Sequence, residues 1–250
     1  MNHNQQNALI TGASGGIGVA VTKALLSRGY RVLGTFYRNE SALARIGHQN
    51  FRYIKIDFTS NASMVQIREA IKVELHNKVD IFINCAGELK MGKLDLLDSV
   101  ELTKTNLIFP YLLCVEADDF MASNGTIILI SSISSKVATV SMELYSATKA
   151  GIESLVRSFA FKMAPKQVKV IGVSPGLVAT SMSKEVMDNT PLFRMIVEQT
   201  PVGRLATIED ISELICGLAD EKFIFITGQT LVFDGGRSLG SYESFLRDKD

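Results

Sequence analysis

Short, nearly unbroken apolar runs alternate with amphipathic stretches of helical spacing along this 250-residue chain. The apolar runs fall at 8–11, 30–36, 51–58, 79–84, 125–131, 168–174 and 229–236. A strand that is apolar at almost every position has both faces covered, which is the mark of a parallel sheet between helical layers. The covering stretches read as helices. Ile17, Ala20, Val21, Ala24 and Leu25 share one face before Gly29, and Met64, Ile67, Ile71 and Leu75 do the same within 61–76. A long helix is expected over about 99–122 with Pro110 as an irregularity. A second spans 143–163, with Ile152, Leu155, Val156 and Phe159 stacked and Pro165 ending it, and a last one lies at about 207–219. The stretch 176–205 reads as irregular. Parallel strands joined by right-handed crossovers give a doubly wound sheet, whose ligands bind beyond the carboxyl ends of the strands. The expected fold is α/β, a single Rossmann-type domain over 1–250, with about seven parallel strands and helices on both faces.

Several function classes are excluded early. Twenty-six Lys and Arg balance 26 Asp and Glu, which argues against a nucleic-acid partner, since such affinity grows with cationic contacts to phosphate. No apolar run reaches the ~18 residues that span a bilayer, and the start, MNHNQQNALI, lacks a cationic, then apolar, leader pattern. Cys85, Cys114 and Cys216 are odd in number, far apart and in apolar surroundings, so neither a disulfide framework nor a metal site is expected. A cytoplasmic protein with buried free thiols follows, and the final RDKD reads as a solvated tail.

The loop after the first strand, Thr11 to Gly18, has the spacing GxxxGxG. Gly12 suits a tight turn, Gly16 a close approach of backbone to a pyrophosphate, and Gly18 close helix packing. The following helix offers free N–H groups and a positive dipole end to phosphate. Glycines also serve ordinary turns, so the pattern alone is weak. The second strand ends Gly34-Thr35-Phe36-Tyr37-Arg38, with no carboxylate before Glu40. An acidic residue there would select the ribose hydroxyl of NAD. Arg38 instead suits the 2′-phosphate of NADP, unless it is a solvated loop charge; NADP(H) is therefore preferred, with NAD(H) open.

Tyr145 is followed four residues later by Lys149. On a helix the two share a face, and a neighbouring ammonium favours phenolate. Ser131 and Ser132 follow the fifth strand directly, where a hydroxyl could polarise a carbonyl, although serines after strands are commonly turn formers.

Together, TGASGGIG, NCAG at 84–87, Asn106, Ser132, Tyr145-x-x-x-Lys149, Pro175-Gly176 and the strand QTLVFDGG at 229–236 resemble the short-chain dehydrogenase/reductase family over roughly 7–236. The closest likeness is to the 3-oxoacyl-carrier-protein reductase type. The resemblance implies hydride transfer between NADP(H) and a carbonyl or secondary alcohol. Tyr145 is implied as the proton donor, Lys149 as the group that lowers its pKa and holds the nicotinamide ribose, and Ser132 as a hydrogen-bond donor to the substrate oxygen. Asn106 is implied to hold a water linking Lys149 to solvent. Cofactor contacts are implied for Gly12, Ser14, Gly16, Ile17, Gly18, Arg38, Asp57, Phe58, Asn84, Ala86, Gly87, Tyr145, Lys149, Pro175, Gly176, Val178 and Thr180. The same resemblance implies a homotetramer or homodimer that pairs the helices at 99–122 and 143–163.

Departures from the pattern are also legible. The stretch Phe120–Gly125 carries no Lys or Arg, which puts an acidic acyl carrier protein partner in doubt. Cys85 replaces the second Asn of the usual NNAG. Met142 stands before Tyr145, and Met182, Met187, Leu192, Phe193 and Met195 suit either a lid over an apolar substrate within 176–205 or core and subunit contacts. A non-catalytic dinucleotide-binding sensor or scaffold is the alternative reading.

Overall fold

The structure is a computed structural model, and it describes residues 5–220, 223 and 225–240. The first four residues of the expected leaderless start and the expected tail at 247–250 lie outside the described residues. Seven strands form one sheet: β1 (Asn7–Thr11), β2 (Arg31–Phe36), β3 (Phe51–Lys55), β4 (Val79–Asn84), β5 (Met121–Ile130), β6 (Lys169–Pro175) and β7 (Thr230–Phe233). Their order is β3-β2-β1-β4-β5-β6-β7 and every pairing is parallel. Winding therefore reverses between β1 and β4, and a crevice opens there at the carboxyl ends.

The helices are α1 (Gly16–Ser27), α2 (Glu40–Ala44), α3 (Ser63–Leu75), α4 (Leu96–Thr103), α5 (Phe109–Val115), α6 (Ala117–Phe120), α7 (Glu143–Lys162), α8 (Lys184–Asp188), α9 (Thr190–Glu198) and α10 (Ile208–Ala219). Successive strand residues point to opposite faces, so the central strands feed two cores. Leu9, Phe82 and Ile127 join Ile67 and Ile71 of α3, Phe109 and Leu113 of α5, and Ile152 and Val156 of α7. On the other face, Ile10, Ile83 and Ile128 join Val21 and Leu25 of α1 and Ile211 and Ile215 of α10.

Three local differences from the expected elements matter. The single helix over 99–122 is α4, α5 and α6 joined through a π turn at Lys104–Ile108, where the Phe109 N–H reaches back to the Lys104 carbonyl. Pro110 has no N–H for the carbonyl of Asn106 four residues earlier, so the regular ladder cannot run through this point. The chain is already extended at Met121, which makes β5 four residues longer at its start. The stretch 176–205 is not wholly irregular, because α8 and α9 lie within it. Asn189 caps α9 by accepting the Leu192 N–H, and Pro191 sits in the first turn, where proline is tolerated.

Candidate active site

The β1–α1 loop is shaped by close backbone approach. Gly12 has φ +66°, and a Cβ there would lie 2.6 Å from Ala86 Cα, so the loop rests directly on the turn after β4. A Cβ at Gly18 would come within 2.8 Å of Ala13 Cα, so this glycine packs helix against loop. Gly16 is covered: its Cβ would meet Thr180 Cγ2 at 2.8 Å, so the segment after β6 lies over the loop. No side chain caps the start of α1, which leaves its amino end turned to the crevice with the open N–H groups that phosphate needs.

The sequence-predicted cofactor residues fall into distinct places. Asn84 is fully buried, and its Oδ1 accepts the Thr11 hydroxyl at 2.7 Å. It braces β1 against β4 and presents no surface of its own. Ala86 and Gly87 follow at the crevice floor; a Cβ at Gly87 would lie 3.2 Å from Lys149 Nζ, so glycine leaves that amine room. Asp57 and Phe58 lie past the end of β3. Asp57 accepts the Thr59 N–H and hydroxyl at 2.9 and 2.7 Å, and Phe58 stacks on Phe109 at 3.7 Å. Ser14 donates to the Arg38 carbonyl at 3.1 Å, holding the loop to the end of β2. The Arg38 side chain is 78% exposed, lies over Tyr37 and stands 3.9 Å from Glu88. Lys55 approaches the same Tyr37 ring at 5.9 Å. Pro175 ends β6, Gly176 lies against Asp234, Val178 is buried, and the Thr180 N–H donates to Ser183 Oγ at 3.0 Å.

Tyr145 and Lys149 project from the first turns of α7 toward the end of β5. Lys149 is 4% exposed and donates to the Ile130 carbonyl at 3.0 Å, with its ammonium 5.7 Å from the Tyr145 ring centre. Burial pulls its pKa down from 10.5 to about 8. Burial pushes the Tyr145 phenol up, and a hydrogen bond with Ser132 opposes that rise. The depression expected from the neighbouring lysine is therefore not seen here: burial sets the direction, and Ser132 is the group that opposes it. Asn106 is fully buried within the π turn. Its amide accepts the Glu88 N–H and donates to the Glu88 carbonyl, both at 2.8 Å, with Thr148 Oγ1 at 3.3 Å. In this arrangement the Asn106 side chain holds residues 87–88 beside Lys149. The structure thus brings Ser132, Tyr145, Lys149, Gly87 and Asn106 together; Arg38, Asp57 and Phe58 lie farther along the crevice toward β2 and β3. A cleft of about 140 Å³ lined by Gly92, Ser141, Met142 and Leu144 adjoins Tyr145.

Glu153 was not anticipated. It sits one turn beyond Lys149, 8% exposed, and gathers Ser131, Ser135, Lys136 and Ser174. The signal was present, a carboxylate between the core residues Ile152 and Val156, but nothing in the sequence names its partners.

Comparison with known proteins adds an independent finding. The profile of a family described as enoyl-(acyl carrier protein) reductase matches residues 12–238. The 3-oxoacyl-(acyl-carrier-protein) reductase FabG of Escherichia coli is 31% identical over 94% of this chain and 98% of its own length. An uncharacterized oxidoreductase, YmfI of Bacillus subtilis, is 30% identical over 92% of this chain and 98% of its own. Among solved structures, a short-chain dehydrogenase/reductase of Serratia marcescens superposes with a TM-score of 0.85 at 27% identity, covering 93% of this chain and 98% of that one.

Proposed function

Because the chain belongs to the short-chain dehydrogenase/reductase family, and so is an NAD(P)-dependent oxidoreductase, we propose that it reduces a 3-oxoacyl-type ketone with NADPH. The observation that carries this reading is the grouping of Ser132 and Tyr145 with the buried Lys149 at the end of β5. A non-catalytic sensor gains no support, since Ser132, Tyr145 and Lys149 are all present.

The residues of the crevice fit a dinucleotide. The turn at Gly12, the uncapped start of α1 and the side-chain-free floor at Gly87 are a cradle that a Cβ would fill. Gly12, Ser14, Gly16, Ile17 and Gly18 would hold the pyrophosphate. Asp57 and Phe58, with Ala86 and Asn84 behind them, would shape the adenosine end, and Pro175, Gly176, Val178 and Thr180 the nicotinamide end. When bound, the reduced nicotinamide supplies the hydride. Tyr145 gives its proton to the carbonyl oxygen, so that ketone, hydride and proton sum to a secondary alcohol. Ser132 donates a hydrogen bond to the same oxygen, Lys149 would hold the ribose hydroxyls of the bound cofactor, and the proton lost by the phenol is returned from solvent. Asn106 keeps the Gly87–Glu88 turn in register with Lys149.

The segment carrying α8 and α9 exposes Met182 and Met195 beside the crevice, and in this reading it is the lid over the acyl chain. The exposed Leu96, Leu97 and Tyr111 on α4–α5 and Phe161 on α7 are read as subunit contacts. Relatives are named for acyl-carrier-protein substrates, while residues 120–125 offer no cation for an acidic carrier. Consumption of NADPH, followed by absorbance, with free 3-oxoacyl thioesters, carrier-linked thioesters and simple ketones tests the proposal. Turnover of a thioester is expected; tight NADPH binding with no turnover of any member of the panel would defeat it.

Cofactor choice is assigned to Arg38. A charge-assisted contact to a phosphate contributes about 1.5–3 kcal/mol, so Arg38→Ala should lower the NADPH-over-NADH ratio of kcat/KM by about tenfold to a hundredfold. An unchanged ratio would remove Arg38 from that role.

A further inference from the structure

We propose that Glu153 is a positioning residue for the reaction, its carboxylate fixing the strand-end turn that presents Ser132 to Tyr145. This rests on the reductase reading above. The carboxylate is an acceptor on which four donors converge, three from the turn after β5 and one from β6. Its Oε1 lies 3.3 Å from Ser131 Oγ, 3.3 Å from Ser174 Oγ at the end of β6, and within hydrogen-bond distance of Ser135 Oγ. Its Oε2 pairs with Lys136 Nζ at 2.7 Å. Two of the hydroxyls are shared with backbone: Ser131 Oγ is 3.0 Å from the Lys149 carbonyl, and Ser135 Oγ is 2.6 Å from the Ser132 carbonyl.

The placement explains why a charge is kept on an apolar helix face. Neighbours Ile152 and Val156 are fully buried, and a carboxylate among them is costly unless its lone pairs are met. An ionised carboxylate only accepts, so it draws the hydroxyl protons of the surrounding serines toward one point. Ser132 is thereby clamped on both sides, by Ser131 before it and by Ser135 and Lys136 after it, and its own hydroxyl, which accepts the Ser134 N–H at 3.2 Å and has Ser134 Oγ at 3.3 Å, faces Tyr145 from a fixed position. Burial raises the carboxyl, but Lys136 and Ser135 more than offset that and hold it below the usual range. It stays ionised at working pH and carries no proton in the reaction. The groups facing it are Lys136, Ser131 and Ser135 from the turn after β5 and Ser174 from β6; Tyr145 and Lys149 stand on its own helix.

The test uses the full chain with Glu153→Gln, which keeps the shape but replaces one acceptor by a donor. Misplacing a reacting group by about 1 Å costs up to about a hundredfold, so kcat should fall by about tenfold to a hundredfold. The Kd for NADPH, read by fluorescence, should stay within about twofold. The Tyr145 phenol, titrated in the ultraviolet as the difference between parent and Tyr145→Phe, should move upward, because the Ser132 hydrogen bond that lowers it is lost. Lys136→Met provides a second route if Glu153→Gln does not fold. Without its ammonium the Glu153 carboxyl protonates at higher pH, so the acid limb of the kcat profile should move up. Unchanged kcat and phenol titration in Glu153→Gln, or an unmoved acid limb in Lys136→Met, would overturn the proposal. Should the parent turn over none of the panel, the reductase reading fails and the phenol titration still decides this one.

Discussion

Replacing Tyr145 by Phe is expected to lower kcat/KM by about 10²–10⁴-fold, the range that a positioned proton donor contributes. Cofactor affinity should be nearly intact, because the ring remains and only the hydroxyl is lost. The hydroxyl is the proton source in the proposed reaction, and Ser132 is near enough to favour its ionised form. Water could not replace it easily, since Tyr145 sits in a largely desolvated corner where burial dominates its ionisation. Steady-state rates with NADPH and a thioester substrate, set beside NADPH titrations of both proteins, check this. Equal rates would refute the assignment of the proton donor.

The second large effect concerns Lys149, and it has two opposite faces. Lys149→Met should cut kcat/KM by at least about a hundredfold, yet make the cofactor-free fold more stable at neutral pH. With a pKa of about 8 in place of 10.5, holding the ammonium in the folded state costs about 3 kcal/mol at pH 7. Losing the bond to the Ile130 carbonyl returns about 1 kcal/mol of that, so the net gain is about 2 kcal/mol. The sign with pH follows from linkage. Between pH 8 and 10.5 the folded lysine sheds its proton while the unfolded one keeps it, so the parent gains stability as pH rises through that window. The advantage of Met should therefore shrink between pH 7 and 10. Urea unfolding of both proteins at several pH values measures it; a Met variant less stable at pH 7, with no pH-dependent difference, would contradict the burial argument.

Much of the sheet could be read directly from the chain because parallel strands buried on both faces leave little else for runs such as Val79–Asn84 to become. The glycine loop and the Tyr145–Lys149 pair were equally legible, since their spacing on a turn and on a helix dictates what shares a face. What was lost depended on partners distant in sequence. The partner of the Asn84 amide oxygen is Thr11, 73 positions away, and no local spacing announces that pairing. The pairing of the Asn106 amide with both backbone groups of Glu88, 18 positions away, is equally silent in the sequence. Lys149 was expected to set the phenol by charge alone, and burial cannot be read from an i, i+4 spacing. The helix α9 went unseen although Leu192, Met195 and Ile196 stand at helical spacing, because it is short and Pro191 resembles a breaker when it is in fact a starter.

The pairing of α1 with α10 on one face of the sheet also bears on how such a chain comes into being at the ribosome. Val21 and Leu25 lie against Ile211 and Ile215, nearly two hundred positions later. The nucleotide-cradling end of the protein is made first, but its first helix, already seated on β1 and β2, lacks its helical neighbour α10 until translation is almost complete. The early βαβ unit is thus no free-standing module, and during synthesis it remains a surface on which holdase chaperones can act.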